Sequence, residues 1–134
     1  MTQLDEPVMF LATADSDRSR AFYERVLGLA FVADEPYALV FRVGHSRLRI
    51  QKVDRVPRVS HTVLGWAVRN IRSAVAELTE AGAAFQRYQG LDQDDQGIWR
   101  SPSGALVAWF RDPDGNTLSL TQYKRLNKKA ARKR

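Results

Sequence analysis

Arg111–Gln122 reads R-D-P-D-G-N-T-L-S-L-T-Q, and this stretch decides the fold. In Asp112-Pro113-Asp114-Gly115, proline presets φ, aspartate bonds its own backbone and glycine accepts positive φ, so the segment is a turn. Beyond it, Leu118 and Leu120 alternate with Thr117, Ser119 and Thr121, the pattern of a half-buried strand. The turn therefore joins a strand over Ala105–Arg111 to one over Asn116–Gln122. The residue at position 119 is serine, which limits the chemistry this strand can support.

Working outward, the chain shows the same order of elements twice. Pro7–Ala14 reads as a strand, and Asp15 or Ser16 caps a helix to about Leu27 with Phe22, Val26 and Leu27 on its apolar face. Gly28 stops that helix in the left-handed conformation. Leu29–Ala33, Tyr37–Val43 and Ser46–Val53 are strand-like, and Asp54–Ser60 is a connector. Then His61–Val68 reads as a strand, and Asn70 caps a helix with Ile71, Ala74, Val75 and Leu78 on one face. Gly82 ends it, and strands are expected over Ala83–Tyr88 and Gly97–Ser101 around an acidic loop, Gly90–Gln96. Arg18-Ser19 matches Arg72-Ser73 at an offset of 54, as do Gly28 with Gly82, Ala30 with Ala84 and Phe31 with Phe85. The repeat predicts an α+β protein of two tandem βαβββ modules, about 1–56 and 57–122, forming one domain. The strands should form a curved mixed sheet with a concave cleft, helices on the convex face.

Charge divides sharply along the chain. Residues 124–134 hold seven basic side chains and no acid, which leaves 14 Lys and Arg against 15 Asp and Glu in the body. The high pI thus belongs to a tail, 123–134, expected to be flexible and able to touch polyanions weakly through phosphate contacts. The absence of cysteine excludes disulfides and thiolate chemistry. No apolar run reaches the length of a membrane span and no signal peptide is visible, so a cytoplasmic protein is expected.

Ala21-Phe22-Tyr23-Glu24-Arg25-Val26-Leu27-Gly28, His61-Thr62-Val63-Leu64-Gly65-Trp66 and Phe110–Leu120 together resemble the vicinal oxygen chelate superfamily. That group holds glyoxalase I, bleomycin-resistance proteins, fosfomycin-resistance enzymes and extradiol dioxygenases. The resemblance implies paired βαβββ modules, joined within a chain or across a homodimer. It also implies a divalent metal held by one side chain from each of four strands, usually His and Glu. Carried onto this sequence, those positions fall at Val8 (Met9 in the register one residue on), Gln51, Val63 and Ser119. Valine has no donor atom, and neutral glutamine and serine supply no anionic charge. No metal and no cofactor is expected there.

Other residues remain candidates. His61 lies two residues before Val63, on the same expected face, as a general base, a ligand contact or a surface histidine at a strand start. Arg49 and Gln51 alternate with Leu48 and Ile50, so they should line the concave wall and can hold a carboxylate or another polar group. Trp99, Trp109 and Tyr37 are candidates for stacking on a flat ligand, and Ser119 for a polar contact. Asp92, Asp94 and Asp95 can attract a cation or simply be solvated. Trp66 should face the helices, and His45 should be exposed in a turn. The expected function is metal-free binding of an apolar or aromatic small molecule, by sequestration or carriage. A superfamily lyase, isomerase or dioxygenase using His61, or a domain tethered through its basic tail, are the alternatives.

Overall fold

In the computed structural model, which describes residues 2–125, the strand–helix–three-strand order occurs twice. β1 (Val8–Thr13), α1 (Ser16–Ala21), β2 (Ala30–Asp34), β3 (Ala38–Val43) and β4 (Ser46–Lys52) make the first module. β5 (Leu64–Ala67), α2 (Ile71–Ala81), β6 (Trp99–Arg100), β7 (Leu106–Arg111) and β8 (Thr117–Gln122) make the second. The sheet orders are β1-β4-β3-β2 and β5-β8-β7-β6, the same permutation in both. In each, the first and last strands of the module pair in parallel and the remaining pairs are antiparallel. The protein is α+β, and its strands divide into two mixed sheets of four.

The two helices start as their polar residues dictate. Asp15 accepts a hydrogen bond from the Arg18 N–H at 3.2 Å, and Asn70 accepts one from the Ser73 N–H at 3.1 Å, so each supplies an acceptor to an otherwise unpaired helical donor. Gly28 and Gly82 take positive φ, +69° and +117°, and end the helical segments in register with the repeat. The first segment departs from a plain helix. After Ala21 it widens into a π-helical turn, Phe22–Val26, with the Leu27 N–H reaching the Phe22 carbonyl at 3.1 Å. Wide turns of this kind re-aim side chains, and here Tyr23, rather than Val26 or Leu27, is the residue driven to full burial.

Three expected strands are shorter. Ala83–Tyr88 keeps only one bridge, Phe85 to Phe110, because the Gln93 side chain takes over its backbone. The Gln93 amide donates to the Gln86 and Gly97 carbonyls at 3.0 and 2.8 Å, and its oxygen accepts from the Tyr88 N–H at 2.7 Å. His61–Val68 becomes a strand only from Leu64, since the preceding loop hangs from Thr117. The Val63 N–H donates to the Thr117 carbonyl, and the Thr117 hydroxyl donates to the Val59 carbonyl. Gly97–Ser101 narrows to Trp99–Arg100.

One core serves both modules. Leu39, Phe41, Leu48 and Ile50 from the first sheet and Ala108, Phe110, Leu118 and Leu120 from the second are buried with Tyr23, Ile71 and Val75. Phe22 lies 6.4 Å from Phe110, ring centre to ring centre, so the first helical segment packs on the second sheet. The D-P-D-G-N turn locks this contact. The Tyr23 hydroxyl donates to Asp112, Thr13 and the Ala14 N–H donate to Asp114, and the Asn116 amide donates to the Ala12 carbonyl. Of the basic tail, Tyr123–Arg125 are exposed, and 126–134 lie outside the described residues. Among the described residues no helix is long and apolar enough to cross a membrane.

Candidate functional site

Each sheet has one face on the core and one open face. The β5–β8 and β7–β8 registers place Gly65 and Ala67, then Thr117, Ser119 and Thr121, then Val107, Trp109 and Arg111 on the open face of the second sheet. Trp99 joins them opposite Val107. The rings of Trp99 and Trp109 lie 5.9 Å apart, and Tyr88 meets Trp109 edge-on at 5.4 Å. Beside them is a cavity of about 310 Å³ lined by Ser60, His61, Thr62, Tyr88 and Trp109. Its wall is the loop hung from Thr117, and its floor is aromatic. An arrangement of this kind holds a flat, apolar ring by stacking, with hydroxyl and imidazole groups at the rim.

Of the residues singled out from sequence, the structure brings His61, Trp99, Trp109 and Ser119 together on this second-sheet face. His61 is exposed and lies in the loop before β5 instead of in a strand. Ser119 sits directly opposite Trp109 and is 7% exposed, with its hydroxyl against Gly65. A Cβ on Gly65 would stand 2.5 Å from the Ser119 Oγ, so the strands approach closely only because residue 65 lacks a side chain.

Arg49, Gln51 and Tyr37 belong to the other sheet. Arg49 and Gln51 do occupy its open face, opposite Val40 and Ala38. The Arg49 guanidinium donates to Glu35 at 3.0 Å. Tyr37 precedes β3 in the first sheet, is 82% exposed, and its carbonyl accepts from the Lys52 N–H. Trp66 faces the helices as expected, in an apolar hollow with Leu27, Leu78 and Phe110. His45 is exposed in the β3–β4 turn.

Within the acidic loop, Asp94 is structural. Its carboxylate accepts from the Gln96 and Ile98 N–H groups, both at 2.9 Å, and from Arg72 at 2.8 Å. Partial burial pushes the carboxyl up, but the bonds from Ile98, Arg72 and Gln96 outweigh it and hold the group below the usual aspartate range. Asp92 and Asp95 remain exposed.

The four positions that would carry a metal do not fit one. Val8 and Val63 offer no donor atom, Gln51 and Ser119 are neutral, and among the described residues no three His, Cys, Asp or Glu side chains gather as a ligand set.

A family model for the glyoxalase/bleomycin resistance protein/dioxygenase superfamily matches residues 5–120. The chain belongs to that superfamily. Its solved relatives repeat the fold at low identity. A bleomycin-binding protein complexed with bleomycin is 19% identical, with 90% of this chain and 100% of that one covered and a TM-score of 0.69. The bleomycin resistance determinant encoded on the transposon Tn5 is 20% identical, covering 91% and 100%, with a TM-score of 0.67. TnmS3, an antibiotic-binding protein from Streptomyces sp. CB03234, is 20% identical, covering 92% and 100%, with a TM-score of 0.65. A search of curated proteins by sequence found no match. Two of these three structures with the same fold are described as binding bleomycin or another antibiotic.

Sequence reading passed over Tyr88 and Arg111. Tyr88 lies outside any regular strand, so alternation carries no signal for it. Arg111 ends β7 immediately before the turn, where it reads as a strand terminus, yet the register puts it on the tryptophan face.

Proposed function

We propose that the protein binds a small apolar or aromatic molecule without a metal, sequestering or carrying it on the open face of the second sheet. The observation that carries this reading is the Tyr88–Trp109–Trp99 cluster beside the cavity rimmed by Ser60, His61 and Thr62. Aromatic rings half-exposed on a sheet face present a rigid stacking surface at little entropic cost. The drug-binding relatives support the same reading, and the unsuitable donor set at Val8, Gln51, Val63 and Ser119 speaks for chemistry without a metal.

The functional unit in this reading is one domain, 1–122, acting as a homodimer. Val8, Phe10, Val32 and Val63 are apolar and 38–54% exposed, and a second copy laid over the open faces would cover them. Such a pairing would bring Arg49 and Gln51 of one protomer nearer the tryptophans of its partner.

Tryptophan fluorescence titrated with planar aromatic compounds tests the proposal. Saturable quenching that Trp109→Ala abolishes, while the variant keeps its circular dichroism, is the expected result. Quenching that is linear in ligand, or unchanged in the variant, would overturn it. A second reading, acid–base catalysis by His61, draws on the placement of that imidazole in the same cavity wall. Turnover of a bound compound that is lost in His61→Ala would replace binding by catalysis as the function.

A further inference from the structure

The second sheet narrows the chemistry of a ligand bound on its open face. Of the β5, β6, β7 and β8 residues that the register puts on one face with Trp99 and Trp109, only Arg111 carries a charge. Among the described residues its guanidinium has no ion pair and no hydrogen bond, while Arg49 and Lys52 on the first sheet are both paired with acids. Its Nε is buried without an acceptor among the described residues. A half-buried arginine of this kind is uncommon, because burying part of a charge is costly unless something compensates.

Arg111 does not line the cavity itself but stands beside it. It stands two residues from Trp109 on the same face, about 7 Å along the strand. Its cross-strand partner is Thr117, the residue from which the cavity-lining loop is hung through Val59 and Val63. A ring lying on Trp109 would therefore present a substituent toward Arg111 within about one ring's length. Among the described residues the register puts no acid on that face to receive a cation, so positive ligands are disfavoured there.

On the reading that this face binds a small molecule, we propose that the ligand is a flat aromatic acid. Its ring stacks on Trp109, and its carboxylate is held by the guanidinium of Arg111, whose planar fork suits two parallel hydrogen bonds.

The test uses three ring-matched probes, 2-naphthoate, 2-naphthamide and 2-naphthylmethylammonium, titrated into the full chain with tryptophan fluorescence and two-dimensional NMR as readouts. The acid should bind at least about tenfold more tightly than the amide, with the amine weakest and the acid's advantage shrinking as salt rises. Arg111→Gln should remove that advantage and leave amide binding within about twofold, and Arg111→Lys should retain part of it. Equal affinities for acid and amide in the native chain, or an acid affinity untouched by Arg111→Gln, would overturn the assignment. Binding of none of the three, with no Trp109 response, would instead sink the cleft itself and this inference with it.

Discussion

The hydroxyl of Tyr23, in the π-helical turn of the first module, donates to Asp112 Oδ2 in the second at 2.6 Å, and both groups are buried. The pair joins two halves of the repeat that share no strand pairing in the sheet order. Asp112 is otherwise fully engaged within its own turn, accepting from the Asp114 N–H and from the backbone and side chain of Asn116. Removing the phenol therefore takes away one donor without leaving the carboxylate bare.

Tyr23→Phe should destabilise the protein by about 1–3 kcal/mol, the range for losing a buried hydrogen bond to a charged group. Chemical denaturation at neutral pH measures it. The pH dependence carries a second signature. Burial pushes the Tyr23 phenol well above the ordinary tyrosine range, and the Asp112 and Asp114 carboxylates push it further. Because the folded value is raised, the stabilisation is complete below the unfolded value of about 10 and declines as pH rises beyond it. Tyr23→Phe should flatten that alkaline decline. An identical slope in both proteins would show that Tyr23 ionises equally in the folded and unfolded chains.

Gly65 and Ser119 should behave as a coupled pair. A methyl group at 65 would meet the Ser119 Oγ at 2.5 Å and its backbone oxygen at 3.2 Å. Gly65→Ala should cost about 1–3 kcal/mol through overpacking between β5 and β8. Ser119→Ala removes the nearer atom, so the double variant should recover much of the loss, with a coupling of about 1 kcal/mol or more in a double-mutant cycle. Additive costs would mean that the backbone oxygen, not the hydroxyl, sets the limit.

How far these contacts were legible in the sequence depends on their range. The caps at Asp15 and Asn70, the left-handed stops at Gly28 and Gly82, and the faces of β4, β5 and β8 all follow from local spacing, and the repeat fixed their order. Trp66 on the helix side and Ser119 on the open side follow from the same alternation. What escaped were decisions made by distant partners. Ala83–Tyr88 has a strand's composition, but a glutamine side chain in the acidic loop takes the Gln86 carbonyl and the Tyr88 N–H instead. Tyr23 falls outside the expected apolar face of Phe22, Val26 and Leu27, yet the π-helical turn buries it and Asp112 receives it. The candidate site was half legible: alternation puts Trp109 on an open face, but nothing in local pattern separates the two open faces, so residues of both sheets, Tyr37 and Arg49 with Trp99 and Trp109, stand together as candidates.

Asp94 tests whether the acidic loop is architecture or a lure for cations. Its carboxylate closes the loop through the Gln96 and Ile98 N–H groups and fastens it to α2 through Arg72. Asp94→Ala should cost about 1–2 kcal/mol by leaving these donors to water, and Asp94→Asn somewhat less, because its amide oxygen can still accept. The folded carboxyl is held below its usual value of 3.8, so this contribution is present above that pH and is lost as the solution is acidified through the folded value. Stability followed from pH 6 to about 2 should fall more steeply in the native chain than in Asp94→Asn. Since Gln93 in the same loop supports Tyr88, loosening the loop should also disturb the Tyr88–Trp109 contact. Asp94→Ala should then weaken aromatic ligand binding although residue 94 does not line the cavity at Trp109. Unchanged binding together with the expected loss of stability would separate the loop from the site.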